Sequence, residues 1–178
     1  MASVENQRIR VTKTMLKQAL LKLLEEKPLE KITVLELCKT AEINRATFYK
    51  YYGSPFDLFD EIEADFLAQL DNSLSKIASS KADALTAILG HLYEQRELFC
   101  LLSQSGNFAQ HLSSLQSIGI LFHNMMDTDE YQPVQSKYMK LFTFQGTYAV
   151  LCSWLRSENP EPVSEIAAVL GTIKTKLS

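Results

Sequence analysis

The chain has 178 residues, enough for one good-sized core or two small ones sharing a helix, and 46% of them are apolar, as in an ordinary globular protein. No stretch approaches the ~18 uninterrupted apolar residues of a membrane span, and Met1 to Arg10 is too polar for the core of a secretion signal, so a membrane or exported protein is not expected. The net charge of −3 argues by itself against a nucleic-acid binder, but ten Lys and Arg stand against six Glu before Phe56 and eight against fifteen Asp and Glu from there on, the pattern of a basic head on an acidic body.

Along residues 8–27, Ile9, Met15, Leu16, Ala19, Leu20, Leu23 and Leu24 recur at threes and fours, which predicts an amphipathic first helix. Pro28 ends it, because proline has no N–H to donate and forces the residue before it out of helical geometry. Thr33 with Glu36 three residues on makes a capping box, so a second helix is expected from Val34. Asn44 is another N-cap, opening a helix over residues 45–51 with Phe48 inward. Only Ala41 to Ile43 separate the two, the spacing of a helix-turn-helix whose second helix enters the major groove of DNA. Leu35, Leu37, Ile43 and Phe48 are expected to fill the small core.

Ser54, Pro55 and Asp57 then supply an N-cap, a first helical residue and a charge at the positive end of a fourth helix. Phe56, Phe59, Ile62, Phe66, Leu70, Leu74 and Ile77 keep its period to about Ser79, long enough for the helix to belong to two lobes. Further helices are expected at 82–103, broken near Gln95, and at 107–126, 134–156 and 163–176. The breaks carry Gly, Pro, Ser and Asn, and no stretch alternates like a strand. The expectation is an all-α protein of about nine helices: a DNA-binding domain over residues 1–53 and a regulatory and dimerising domain over 54–178.

Thr33 to Leu58 resembles the DNA-binding head of the TetR/AcrR family of bacterial transcription regulators. The likeness rests on the aliphatic brace before Pro28, Ile32-Thr33-Val34 leading to Glu36-Leu37, Ala41-x-Ile43 at the turn, Arg45-x-Thr47-Phe48-Tyr49-x-x-Tyr52, and Leu58. Two residues depart from the pattern. Glu42 stands where the family usually has Gly, which is costly if the turn needs a positive φ and puts a negative charge near DNA. Pro55 stands where Lys commonly opens the fourth helix, so one phosphate contact is missing.

Asn44 at the N-cap is counted with the DNA-binding residues, and in the first turn of the recognition helix Arg45, Ala46 and Thr47 are placed for base edges, with Arg45 suited to guanine and Thr47 to a thymine methyl. The resemblance implies that Tyr49, Lys50 and Tyr51 hold phosphates and set register, and Thr33 is placed for a phosphate at the preceding helix start. The alternative is that Tyr49 and Tyr52 are half-buried core aromatics and Arg45 and Lys50 a solvated face; Tyr52 is assigned to the core. The resemblance further implies a cytoplasmic, homodimeric repressor that binds double-stranded DNA and responds to a ligand.

Body aromatics at helical spacing usually make core, but Phe66, Tyr93, Phe99, Phe122 and Tyr148 are the leading wall candidates for an apolar small-molecule effector, with His91, His111, His123 or Gln145 as orienting polar groups. Tyr138, Leu141, Phe142, Ala149, Cys152, Val163, Ile166, Ala167, Leu170 and Ile173 give the last two helices more apolar face than one body needs, so a four-helix dimer interface is expected there. The fourth helix is the available lever between effector and DNA. A rival reading keeps the head and replaces the small molecule by a protein partner, as in a coactivator, or by no regulation.

Cys38, Cys100 and Cys152 are odd in number, far apart and set among apolar neighbours, which reads as buried thiols in a reducing cytoplasm, with a redox sensor as the alternative. The histidines lack metal-site spacing, and no phosphate loop, nucleophile elbow or paired cysteines are present. Neither an enzyme nor a cofactor is expected.

Overall fold

The computed structural model describes residues 2–78, 84–115, 118 and 133–177. Among them are nine α-helices and no strand. Two compact units divide the chain, Met1–Phe66 and Leu67–Ser178. The division falls inside the fourth helix, between Phe66 and Leu67.

In the first unit, α1 (Ala2–Glu26) begins earlier than its apolar period indicates. It buries Leu16, Ala19, Leu20 and Leu23 on one face. After a short 3-10 turn at Leu29–Lys31, α2 (Val34–Thr40) starts at the expected capping box. The Glu36 amide donates to Thr33 Oγ1 at 3.2 Å, and the Thr33 amide donates to Glu36 Oε2 at 3.2 Å. α2 turns Leu37, Cys38 and the following Ala41 inward. Leu35 is a correction: it is 64% exposed, because on a two-turn helix it lies across from the buried Leu37–Cys38 edge.

α2 ends in a Schellman motif. The Ile43 amide donates to the Cys38 carbonyl at 2.9 Å and the Glu42 amide to the Lys39 carbonyl at 3.3 Å, which satisfies carbonyls the helix end would orphan. The motif needs one left-handed residue, and Glu42 supplies it with φ 55°. A side chain at that φ is strained where glycine is not. Glu42→Gly is therefore expected to stabilise the first unit by about 0.5–1 kcal/mol, seen as a higher midpoint in urea. An unchanged or lowered midpoint would show that the turn carries no such strain.

α3 (Arg45–Tyr49) is shorter than expected. The amides of Tyr51 and Tyr52 both return to the Phe48 carbonyl, at 2.9 and 3.0 Å, and close the helix there. α4 (Pro55–Ala78) opens as expected. The Asp57 amide donates to Ser54 Oγ at 3.3 Å, while Ser54 Oγ and the Gly53 amide donate back to the Asp57 carboxylate at 2.8 Å. Those bonds, Ser54's first, hold the Asp57 carboxyl below its usual range. Leu58, Phe59, Ile62 and Phe66 are buried, whereas Phe56, expected on the apolar face, is 46% exposed.

In the second unit, α4 continues with Leu67, Leu70 and Leu74 buried. α5 (Ala84–Glu94) and α6 (Arg96–Leu102) break at Gln95 as expected. α7 (Phe108–Ser113) is much shorter than a helix over 107–126. Ser113 and Ser114 donate their hydroxyls to the carbonyls of Gln110 and His111 at 2.7 and 2.6 Å, and the Ser114 and Leu115 amides bond three residues back, tightening the chain out of α-helix. The rest of that expected helix, apart from Ile118, lies outside the described residues. α8 (Pro133–Arg156) and α9 (Val163–Leu177) complete the unit. The Trp154 indole N–H donates to the Glu161 carbonyl at 2.9 Å, which ties the α8–α9 loop down.

Candidate nucleic-acid interface and body cavity

In α3, Asn44 Oδ1 accepts the Ala46 amide at 2.8 Å, so the helix N-terminus is fixed by its own cap. Phe48 is fully buried and Tyr52 nearly so, their rings 5.7 Å apart. With those two inward, Arg45, Ala46, Tyr49 and Lys50 stand exposed together and Thr47 and Tyr51 are half-buried. Tyr49 is 51% exposed, with its ring edge-on to Phe48 at 5.6 Å. The Lys50 ammonium lies 5.8 Å from the Tyr51 ring centre, which leaves a cation and a phenol side by side.

Tyr52 belongs to the core side of this division. Its hydroxyl donates to Glu61 Oε2 at 3.2 Å, and burial, followed by the charge of Glu61, pushes the phenol well above its ordinary pKa. Glu61 also takes Lys13 and Lys17, each at 2.8 Å. Burial alone would raise the Glu61 carboxyl, but hydrogen bonds from the two lysines outweigh it and bring the pKa down to about 2. Lys17 reaches Asp65 as well, so α1 and the first half of α4 are joined by a charged cluster. The charges of Lys13 and Lys17 are thereby matched within the protein, whereas Arg45 and Lys50 face outward.

Thr33 is exposed but already engaged. Its hydroxyl donates to Glu36 Oε2 at 2.9 Å, and Lys27 pairs with the other Glu36 oxygen at 2.6 Å. The Lys27 ammonium, then the Thr33 amide and hydroxyl, hold the Glu36 carboxyl at a pKa of about 2. Thr33 therefore stands beside an ionised carboxylate, which is itself paired with Lys27.

The second unit encloses an apolar cavity of about 50 Å3. Its walls come from α4 (Leu70, Leu74), α5 (Leu85, Ile88, Leu89, Leu92), α6 (Phe99), α8 (Thr147, Leu151) and α9 (Leu170), with Leu112 and Ile118. Of the expected wall residues only Phe99 is there. Phe66 belongs to the first unit, Tyr93 stacks on Trp154 with centroids 5.7 Å apart, Tyr148 stands one ring behind Phe99 at 6.3 Å, and Phe122 lies outside the described residues. His91, His111 and Gln145 do not line it, and His123 is outside the described residues. Sequence reading looked for aromatics, whereas the lining is mostly leucine, whose spacing is the same whether it faces a cavity or a solid core.

Along α8, Val134, Tyr138, Leu141 and Phe142 are 52–67% exposed, and Ala149 is exposed one to two turns on. Cys152, Val163 and Ala167 are half-buried, and Ile173 is 38% exposed. Ile166 and Leu170 depart from the expected interface: they are 7% and 2% exposed within the single chain, because that edge of α9 packs on α5.

The family model for bacterial regulatory proteins of the tetR family matches residues 17–62, which span the helix-turn-helix and the start of α4. An uncharacterized HTH-type transcriptional regulator, YxbF of Bacillus subtilis (strain 168), is 24% identical over 162 residues, 84% of this chain. The chain spans only 42% of that relative's length. Among solved structures, a TetR transcriptional regulator from Streptococcus agalactiae 2603V shares the fold with a TM-score of 0.77 at 22% identity, over 98% of this chain and 99% of that one. Thermus thermophilus FadR, a repressor solved in complex with lauroyl-CoA, gives 0.55 at 14% identity over 92% and 93%. The capped helix-turn-helix, with an outward basic and phenolic face on its second helix, is thus the part of the chain that matches the tetR family of bacterial regulatory proteins, and the chain as a whole shares its fold with solved TetR regulators.

Proposed function

We propose that the protein is a homodimeric, cytoplasmic repressor that reads a palindromic operator through α3 and is released by a mostly apolar small molecule. The observation that carries the DNA part is the shared outward face of Arg45, Ala46, Tyr49 and Lys50 behind a fixed N-cap. In this reading Arg45 and Thr47 reach base edges while Tyr49, Lys50 and Tyr51 hold phosphates. No catalytic role is assigned to any residue. Fluorescence anisotropy with duplex DNA tests the assignment. Lys50→Ala is expected to weaken binding to every sequence and reduce the salt slope by about 0.9, whereas Thr47→Ala changes which sequence is preferred. A Lys50→Ala protein with the wild-type slope would remove Lys50 from the phosphate contacts.

For the effector, the support is the apolar lining and the part α4 takes in it. Leu70 and Leu74 face the cavity, and Glu61 on the same helix is tied to α1. A ligand that wedges the cavity open would act on α4 and through it on the spacing of two recognition helices, which must match major grooves about 34–36 Å apart. To empty the operator it must favour the released state by several kcal/mol, which calls for enclosure rather than a surface contact. The acyl-CoA bound by Thermus thermophilus FadR is a precedent for an apolar ligand in a protein of this fold. Free and ligand-bound structures of the dimer test the lever through the Tyr49–Tyr49 distance; release of DNA with no change in that distance would rule it out.

One observation favours a second reading. A cavity of about 50 Å3 is far below the ~300–1,000 Å3 of a ligand site, so without opening it holds no effector. A protein partner, as for a coactivator, would then replace the small molecule. Thermal shifts against a metabolite library separate the two, because a ligand that binds only the native state raises its stability.

A further inference from the structure

Two thiols of the body lie across one helix pair. Cys100 is on α6 and Cys152 on α8, two helices that pack together, and both cysteines are unbridged and half-buried. The neighbouring contacts fix how the helices pass. On one side of the pair the rings of Phe99 and Tyr148 stand 6.3 Å apart. On the other, Arg156 Nη2 donates to Ser103 Oγ at 2.8 Å and to the Ser103 carbonyl at 3.4 Å. Cys100 and Cys152 fall between these two rungs on both helices. Burial, the largest influence, raises the Cys100 thiol; Arg156 lowers it by charge and by a hydrogen bond, and Cys152 is close enough to act on it electrostatically.

We propose that Cys100 and Cys152 are an oxidation site, a thiol pair that hydrogen peroxide converts into an intramolecular disulfide stapling α6 to α8. One sulfur, as its thiolate, attacks the peroxide. An S–O bond forms, the O–O bond breaks, and the departing hydroxide takes up the proton that the thiol released on ionising and leaves as water. The second sulfur displaces the hydroxyl of the resulting sulfenic acid, so that an S–S bond forms and a second water leaves. The two thiols lose two electrons and the peroxide gains them. Arg156, fixed by Ser103, is placed to stabilise the transient thiolate at Cys100.

The position gives the bond a consequence. Phe99 and Leu151, each immediately before one of the cysteines, are cavity walls, so the staple would fix two walls relative to each other. This coupling rests on the cavity being the effector site, whereas the oxidation does not. Cys38, the one cysteine of the first unit, is an internal control.

The experiment treats the full chain with hydrogen peroxide, alkylates the remaining thiols and maps the peptides without reduction. A Cys100–Cys152 link within one chain, alkylated Cys38 and reversal by dithiothreitol are expected. Cys100→Ser and Cys152→Ser should each remove the link and leave a sulfenic acid, trapped by dimedone, on the remaining partner. Links only between chains, equal oxidation of Cys38, or separate sulfinic acids on both cysteines would overturn the proposal. Decanoate added to reduced and oxidised protein reads the coupling: the thermal shift of the reduced form should be lost on oxidation. No shift in the reduced form would count against the effector cavity alone, with the staple still decided by the peptide map.

Discussion

Phe48→Ala is expected to abolish operator binding while the second unit stays folded. Phe48 is the largest fully buried side chain of the first unit, and the rings of Tyr49 and Tyr52 pack against it at 5.6 and 5.7 Å. Truncating a buried Phe costs about 3–5 kcal/mol, which approaches the whole stability of a small domain. Phe48 is the buried centre of that packing, with the Asn44 cap and Tyr52 beside it, so its loss is expected to free the outward face of α3 from one orientation. Urea titration should show an early transition for residues 1–66, with Trp154 fluorescence reporting the second unit unchanged. Wild-type affinity in the variant would mean that α3 is held by something other than this packing.

The second large effect separates inward from outward residues of the last two helices. Ile166→Glu would place a carboxylate at a position 7% exposed, at a cost of several kcal/mol, and is expected to unfold the second unit. Phe142→Glu, at a position 63% exposed within the single chain, should leave the second unit folded and cost the fold of one protomer no more than about 0.5 kcal/mol. If the α8 stripe of Val134, Tyr138 and Phe142 is the dimer surface, Phe142→Glu converts the sedimenting dimer to monomer. A Phe142→Glu protein that sediments like wild type would remove that stripe from the interface.

What could be read from the sequence is what is decided within four residues. Thr33 with Glu36, Asn44 with Ala46, and Ser54 with Asp57 are each a side chain bonding backbone a turn away, and all three helix starts lie where those residues indicate. The left-handed residue at Glu42 was indicated by the family's usual Gly there, not by a local signal in this sequence. Apolar spacing says how often a face recurs but not which way a short helix turns, and Leu35 and Phe56 point out although their spacing suits a core. The cavity walls, the inward edge of α9 and the packing of α6 on α8 depend on how distant helices meet, and no local signal records that. α7 ends where two serines bond back to carbonyls, yet serine inside a helix is common enough that neither marked a stop.

The charged cluster on α1 has a bearing on how such a regulator can be taken apart. A piece cut at Gly53 would retain α1 to α3 but lose Leu58, Phe59 and Ile62, three buried side chains of the first unit, each worth about 1.5–3 kcal/mol. It would also strip Lys13, Lys17 and the Tyr52 hydroxyl of the carboxylates they hold. The piece that keeps these contacts is therefore residues 1–66. A chimera joined to a foreign sensor after Phe66 retains them, and one joined at Gly53 loses them.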